Sequence, residues 1–224
     1  MRSSDVWLAR HFSNPGIEYG PIVKDARKRP ELIEALISAT GSGAAPMRFG
    51  SAKALALLAA EAPILMYPYF AFFAALLDSP NSILRWNAAR VLASLAPVDR
   101  ENKLDPLLEK YLSPIDGSQM IGAANVIRWS AEIALAKPAL ADRIARAILR
   151  VRAATYATGE CRNVAIGHAI RALGSFYHLI TDQPAVLAFV QAQQRNSRPA
   201  TRSKALAFCK KHAARSGVAT EVVT

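Results

Sequence analysis

Four histidines, two cysteines and three tryptophans are the residues where chemistry would have to begin in this chain. His168 and His178 lie ten residues apart, and His11 and His212 are remote from both. Neither His-x3-His nor Cys-x2-Cys occurs, so the spacings that build a zinc site are missing, and no metal and no cofactor is expected. Cys161 and His168 are seven residues apart. Two helical turns separate them by ~10 Å, too far for a thiolate–imidazole pair within one helix. Each is expected to be an interior or groove-lining residue. Gly41-Ser42-Gly43 lacks the Lys-Ser/Thr that completes a phosphate loop, and reads as a linker. What does recur is an aromatic ring one helical turn from a cation: Phe49 with Lys53, and Trp86 with Arg90. Such a pair stacks a base or grips a peptide, or else packs between helices with the cation lying over the ring. The sequence offers no catalytic residue.

The elements that must position these residues are helices. Alanine and leucine are abundant, and alternating β-branched runs are nearly absent, Val218 to Val223 being the one short exception. Turn chemistry recurs at Thr40-Gly41-Ser42-Gly43, Asp78-Ser79-Pro80-Asn81, Pro114-Ile115-Asp116-Gly117, Thr158-Gly159 and Asn196-Ser197-Arg198-Pro199. No strand pattern alternates with the helical segments, which excludes a parallel α/β fold. The most lipid-like stretch, Pro63 to Leu77, holds 15 residues without a charge, short of the ~18–20 that a spanning helix needs, so it is expected to be a helix buried on most sides. The 224 residues are 52% hydrophobic and 20% charged, which excludes wholesale disorder and gives ample core. Two cysteines cannot make a disulfide framework, pointing to a reducing, cytoplasmic setting, and the N-terminus shows no apolar leader.

A four-residue phrase repeats along the chain: Ala52-Lys53-Ala54-Leu55, Ala89-Arg90-Val91-Leu92, Ile170-Arg171-Ala172-Leu173 and Ser203-Lys204-Ala205-Leu206, with a weaker copy at Glu132-Ile133-Ala134-Leu135. Its leucines are spaced by 37, 43, 38 and 33 residues, and they are expected to be buried between helices. Each phrase lies on the second helix of a pair: 46–60, 81–96, 118–136, 160–178 and 199–213 follow first members at 31–39, 64–77, 103–112, 139–154 and 184–194. The segment from Asp78 to Leu92, with an apolar residue, Arg85, Ala88 and Ala89 in order, resembles a HEAT repeat. That resemblance implies an all-α fold, a right-handed α-solenoid of about five HEAT-like helix pairs over residues 31–215, whose second helices line the concave side. Residues 1–30 would then be an N-terminal cap and loop, and 216–224 a flexible tail.

The charge is one-sided. Lys and Arg number 28 against 17 Asp and Glu, a net charge of +11. Residues 1–136 carry 14 basic and 13 acidic side chains, whereas 137–215 carry 14 basic and only Asp142, Glu160 and Asp182. Such a field suits a polyanion such as DNA or RNA, an acidic protein, or simply a solvated basic surface. Lys53, Arg90, Arg171 and Lys204 share one phrase position and are expected to form a row on the concave side with Trp86, Trp129 and His168. Arg162, Arg198 and Arg202 would reinforce its C-terminal end as anion-binding residues.

A second resemblance covers residues 160–210. Ala165-Ile166-Gly167-His168-Ala169-Ile170-Arg171, Gln183-Pro184-Ala185-Val186-Leu187 and Arg202-Ser203-Lys204-Ala205-Leu206 are similar to the C-terminal part of the HEAT-like DNA alkylation-repair glycosylases. That family places a tryptophan where His168 stands, and a tryptophan and a catalytic carboxylate on earlier concave helices. Here Trp86-Asn87-Ala88-Ala89-Arg90 has no acid, and in Trp129-Ser130-Ala131-Glu132 the carboxylate has Arg128 one turn away. The expectation is therefore a non-catalytic binding module acting through its concave helices on another protein. The alternative is a nucleic-acid-binding relative of the glycosylases that uses the basic C-terminal repeats. No membrane and no metal partner is expected.

Overall fold

Proline and small polar side chains decide where the helices begin. Pro30, Pro46 and Pro63 sit in first turns, where a missing N–H costs nothing. Asn81 Oδ1 accepts the N–H groups of Ile83 and Leu84 at 3.0 and 3.2 Å. Thr158 Oγ1 accepts that of Cys161 at 3.1 Å, and Asp182 Oδ1 that of Ala185 at 3.2 Å. The computed structural model describes residues 3–13 and 16–216. Among them the chain is all helical, with no strand.

The described residues fall into two compact units, one up to Leu108 and one from Glu109 onward. The first holds α1 (Ser3–Phe12), α2 (Tyr19–Ala26), α3 (Pro30–Ala39), α4 (Ala45–Glu61), α5 (Pro63–Met66), α6 (Phe70–Leu76) and α7 (Ser82–Leu95). Helix α8 (Leu104–Leu112) begins there and continues into the second unit, which holds α9 (Met120–Ala136), α10 (Ala141–Leu149), α11 (Gly159–Phe176), α12 (Gln183–Ala192) and α13 (Pro199–Ser216). In the first unit α3 packs on α4, α6 on α7, and α4 on α7, while α1 and α2 cover α3 and α4. In the second unit α10 packs between α9 and α11, α12 packs on α13, and α11 lies between α9 and α13. Residues 1–30 thus contribute two helices to the packing. The tail expected from 216 lies outside the described residues apart from Ser216, which ends α13.

One local device recurs in both units. Ser42 Oγ, Ser79 Oγ and Asn196 Oδ1 each accept the backbone N–H two residues on, at 3.2, 3.2 and 2.9 Å. Arg48, Arg85 and Arg202 each donate Nη1 to the carbonyl six residues back, that of Ser42, Ser79 and Asn196, at 3.2, 2.5 and 2.8 Å. The side-chain turn bends the chain and the arginine ties its carbonyl to the helix that follows. Arg202 therefore clasps its own loop, which occupies part of a guanidinium that the sequence reserved for anions.

Burial corrects the repeat register. Ala52, Leu55 and Leu58 in α4 are 4%, 0% and 0% exposed, and Ala89, Leu92 and Leu95 in α7 are 2%, 0% and 0% exposed. Leu173 in α11 is likewise fully buried. Leu135 and Leu206, the leucines of the other two copies, are 47% and 51% exposed. In α9 the buried pattern falls five residues earlier, on Ser130 and Ile133, and in α13 one residue earlier, on Ala205 and Phe208. Four-residue phrases arise readily in a chain rich in alanine and leucine, and only contact with the neighbouring helices selects the face.

The stretch from Pro63 to Leu77 also differs from expectation. It breaks into α5, a 3₁₀ turn at Tyr67–Tyr69 and α6. Pro68 lies within the turn, and its ring removes a donor from any continuous ladder. One side is buried at Met66, Phe70 and Phe73, while Ile64 is 68% exposed. Among the described residues no helix is long and apolar enough to cross a membrane. Behind the turn, Tyr67 donates its hydroxyl to buried Asp99 at 2.8 Å, and Asp99 also accepts the N–H groups of Lys103 and Leu104 at 2.9 and 3.0 Å, capping α8. Burial and that hydrogen bond push the Tyr67 phenol up to about 12.

Candidate functional site

With the register taken from burial, Lys53 in α4 and Arg90 in α7 occupy equivalent positions, and so do Arg128 in α9 and Arg171 in α11. The sequence phrase puts Ile133 there and leaves Arg128 as a neighbour of Glu132 one turn away. The signal that finds Arg128 is its place 38 residues after Arg90, close to the 37 that separate Lys53 from Arg90.

In the second unit α9, α11 and α13 bring Arg128, His168, Arg171 and Lys204 together. His168 is half-buried, and its imidazole is held below the ordinary histidine range, first by burial and then by the charges of Lys204, Arg171 and Arg128. The Lys204 ammonium is pushed down by burial, then by Arg171 and Arg198. These shifts record a partly desolvated setting first, and then nearby like charges that further disfavour the charged forms of His168 and Lys204. Gly167 makes room for it. A Cβ there would lie 2.8 Å from Thr201 Oγ1 and 3.2 Å from Lys204 Nζ. Thr201 donates its hydroxyl to the Asn163 carbonyl at 2.7 Å, Asn196 Nδ2 donates to Asn163 Oδ1 at 3.1 Å, and Asn163 Nδ2 to Ser197 Oγ at 2.9 Å, clamping α13 to α11.

The other predicted anion-binding residues divide. Arg162 is exposed at the start of α11. Arg198 is paired with Glu160, so its charge is already partly compensated. The arginines after α9 are offset too. Arg143 reaches Glu109 at 3.4 Å, and Arg150 reaches Asp116 at 3.0 Å and Glu109 at 3.9 Å. Glu132 is exposed, and its charge adds to the burial that holds the Tyr111 phenol well above its ordinary value. Trp129 is half-buried on α9.

In the first unit Lys53 and Arg90 line a cleft of about 460 Å³ with Ile17, Tyr19, Ala45, Pro46, Phe49, Gly50, Ile83 and Asn87. Lys53 Nζ lies 4.2 Å from the centre of the Tyr19 ring, and the Arg48 guanidinium lies 4.7 Å from that of Phe49. Trp86 is half-buried beside Asn87 and is not part of the cleft wall. Residues 1–30 read as cap and loop in the sequence, and nothing there marks Tyr19 as a partner of Lys53.

Two of the other histidines are engaged locally. His11 Nδ1 lies 2.8 Å from the Trp7 carbonyl, and the two rings stack. His212 is buried against the rings of Tyr177 and Phe208, with centroids 4.3 and 4.4 Å away. His178 is exposed, and Cys161 and Cys209 are half-buried free thiols. Among the described residues no group of three or more His, Cys, Asp or Glu side chains gathers as a metal site would require.

No protein-family model matches the chain, and no curated protein matches it. Among solved structures it is similar to the crystal structure of an engineered protein from the Northeast Structural Genomics Consortium, at 16% identity and a TM-score of 0.58, covering 94% of this chain and 89% of that one. At that identity the likeness is one of fold alone.

Proposed function

We propose that this chain is a non-catalytic binding module built of degenerate HEAT-like helix pairs, and that it holds the phosphate backbone of a nucleic acid on its α9–α11–α13 face. The observation that carries the proposal is the cluster of Arg128, His168, Arg171 and Lys204, in which burial, and then the neighbouring cations, hold the His168 imidazole and the Lys204 ammonium below their ordinary ranges. Such a cluster is relieved by an anion, and a backbone of repeated phosphates supplies several at once. The solenoid part of the reading draws on helix pairs whose second members pack on one another within each unit, and on the arginine clasp that recurs at Arg48, Arg85 and Arg202. A cytoplasmic setting belongs to the same proposal, in keeping with two free thiols.

The test is fluorescence anisotropy with labelled duplex and single-stranded DNA across a salt series. The log–log slope should be about −0.9 per phosphate neutralised on a duplex, so three contacts give roughly −2.7. Arg171→Glu with Lys204→Glu should abolish binding, and Arg128→Glu should weaken it. No binding at low salt, or full affinity in the double variant, overturns the proposal, and binding of an acidic protein with a shallow slope moves it to a protein partner. Methylated duplex DNA should be bound without release of base. Release that disappears in Glu132→Gln would make the protein an enzyme with Glu132 at its centre.

A further inference from the structure

The cleft between α2, α4 and α7 does not rest on the nucleic-acid reading. Its walls are of two kinds. Ile17, Pro46, Phe49 and Ile83 give it an apolar surface, and Lys53 and Arg90 give it two positive charges. No carboxylate is among the lining residues, and among the described residues neither Lys53 nor Arg90 forms an ion pair. The Lys53 ammonium instead lies over the Tyr19 ring, a contact weaker than one with an anion. Burial holds the Tyr19 phenol above its ordinary range, so it stays neutral and adds no negative charge to repel an anion. At about 460 Å³ the cleft falls within the size of small-molecule sites.

We infer that this cleft binds a small molecule made of a planar aromatic ring and one compact anion, with the anion on Lys53 and Arg90 and the ring against Phe49 and the apolar wall. A nucleoside monophosphate and an aromatic carboxylate both present that chemistry. The two charges line the cleft from different helices, one turn of α4 beyond Phe49 and one turn of α7 beyond Trp86. A ligand carrying only a ring leaves both cations without a counter-charge, and a ligand carrying only an anion leaves the apolar wall wet. Each part alone should therefore bind much more weakly than the two joined.

Isothermal titration of the full chain with AMP, indole-3-carboxylate, adenosine and inorganic phosphate tests this. AMP or indole-3-carboxylate should bind, and whichever binds names the source. Adenosine and phosphate should each bind about tenfold or more weakly than that ligand. Lys53→Met with Arg90→Met should lower affinity by roughly tenfold or more, because charged hydrogen bonds are lost. Lys53 is exposed and Arg90 only half-buried, so the fold should survive, and an unchanged circular dichroism melt confirms it. Phe49→Leu should weaken binding of AMP or the carboxylate and leave phosphate unaffected. Absence of binding by both aromatic anions at about 1 mM overturns the inference, as does unchanged affinity in the double variant or phosphate binding as tight as AMP. Arg171→Glu with Lys204→Glu should leave this binding intact, so failure here and failure of the nucleic-acid proposal are separate results.

Discussion

Five leucines share one phrase in the sequence and divide three against two in the structure, which makes the truncation of four of them, two from each group, a direct test of the register. Leu92 and Leu173 are 0% exposed, whereas Leu135 and Leu206 are 47% and 51% exposed. Replacing a buried leucine by alanine removes three carbon atoms from the interior. At ~0.8 kcal/mol per buried methylene that is about 2.4 kcal/mol of lost transfer free energy. The cavity left among tightly packed helices adds to it, for a total of ~2–5 kcal/mol. At Leu135 and Leu206 about half of the residue stays in water and alanine is the better helix former, so the loss should stay at about 1 kcal/mol or less. Urea denaturation followed by circular dichroism at the helix band measures all four. The expected order is Leu92→Ala and Leu173→Ala strongly destabilised, Leu135→Ala and Leu206→Ala close to wild type. A Leu135→Ala loss as large as that of Leu92→Ala would refute the burial register, and with it the equivalence of Arg128 and Arg171 within the second unit.

Asp99→Ala should lose ~2–4 kcal/mol, because it strips an acceptor from Tyr67 and from the first N–H groups of α8, and a urea midpoint unchanged from wild type would show that water replaces it. Gly167→Ala should cost ~1–3 kcal/mol, since a Cβ 2.8 Å from Thr201 Oγ1 forces α13 to shift, and it should weaken DNA binding by displacing Lys204; a melt and an anisotropy titration check both. His168 should titrate below the ordinary histidine value of about 6.5 by NMR. Because the unfolded chain takes up that proton first, stability should fall as pH drops from about 6.5 through the lower folded value, and His168→Gln should flatten that limb. Bound polyanion should raise the His168 pKa, and an unmoved titration at saturating DNA would place the nucleic acid elsewhere.

The helices were legible because their signals are local. Proline in first turns, the Asn81 and Thr158 caps and the turn sequences between them act within a few residues, so the segments 31–39, 46–60, 81–96 and 160–178 fall close to α3, α4, α7 and α11. The aromatic–cation pair at Phe49 and Lys53 was legible for the same reason, since one turn of helix sets their spacing. What lay beyond the sequence was the choice of face. Leu135 and Ile133 are equally apolar and two residues apart, and only the packing of α9 against α11 and the segment 113–116 decides that Ile133 is buried and Leu135 is not. The same choice brings Arg128 toward His168 and takes the Arg202 guanidinium into its own loop. Tyr19 reaches Lys53 across 34 positions of sequence that carry no trace of the meeting. Periodicity along one helix determines that a stripe will be buried; which stripe, and which charges are left beside one another outside it, is settled when helices distant in sequence exclude water from between them.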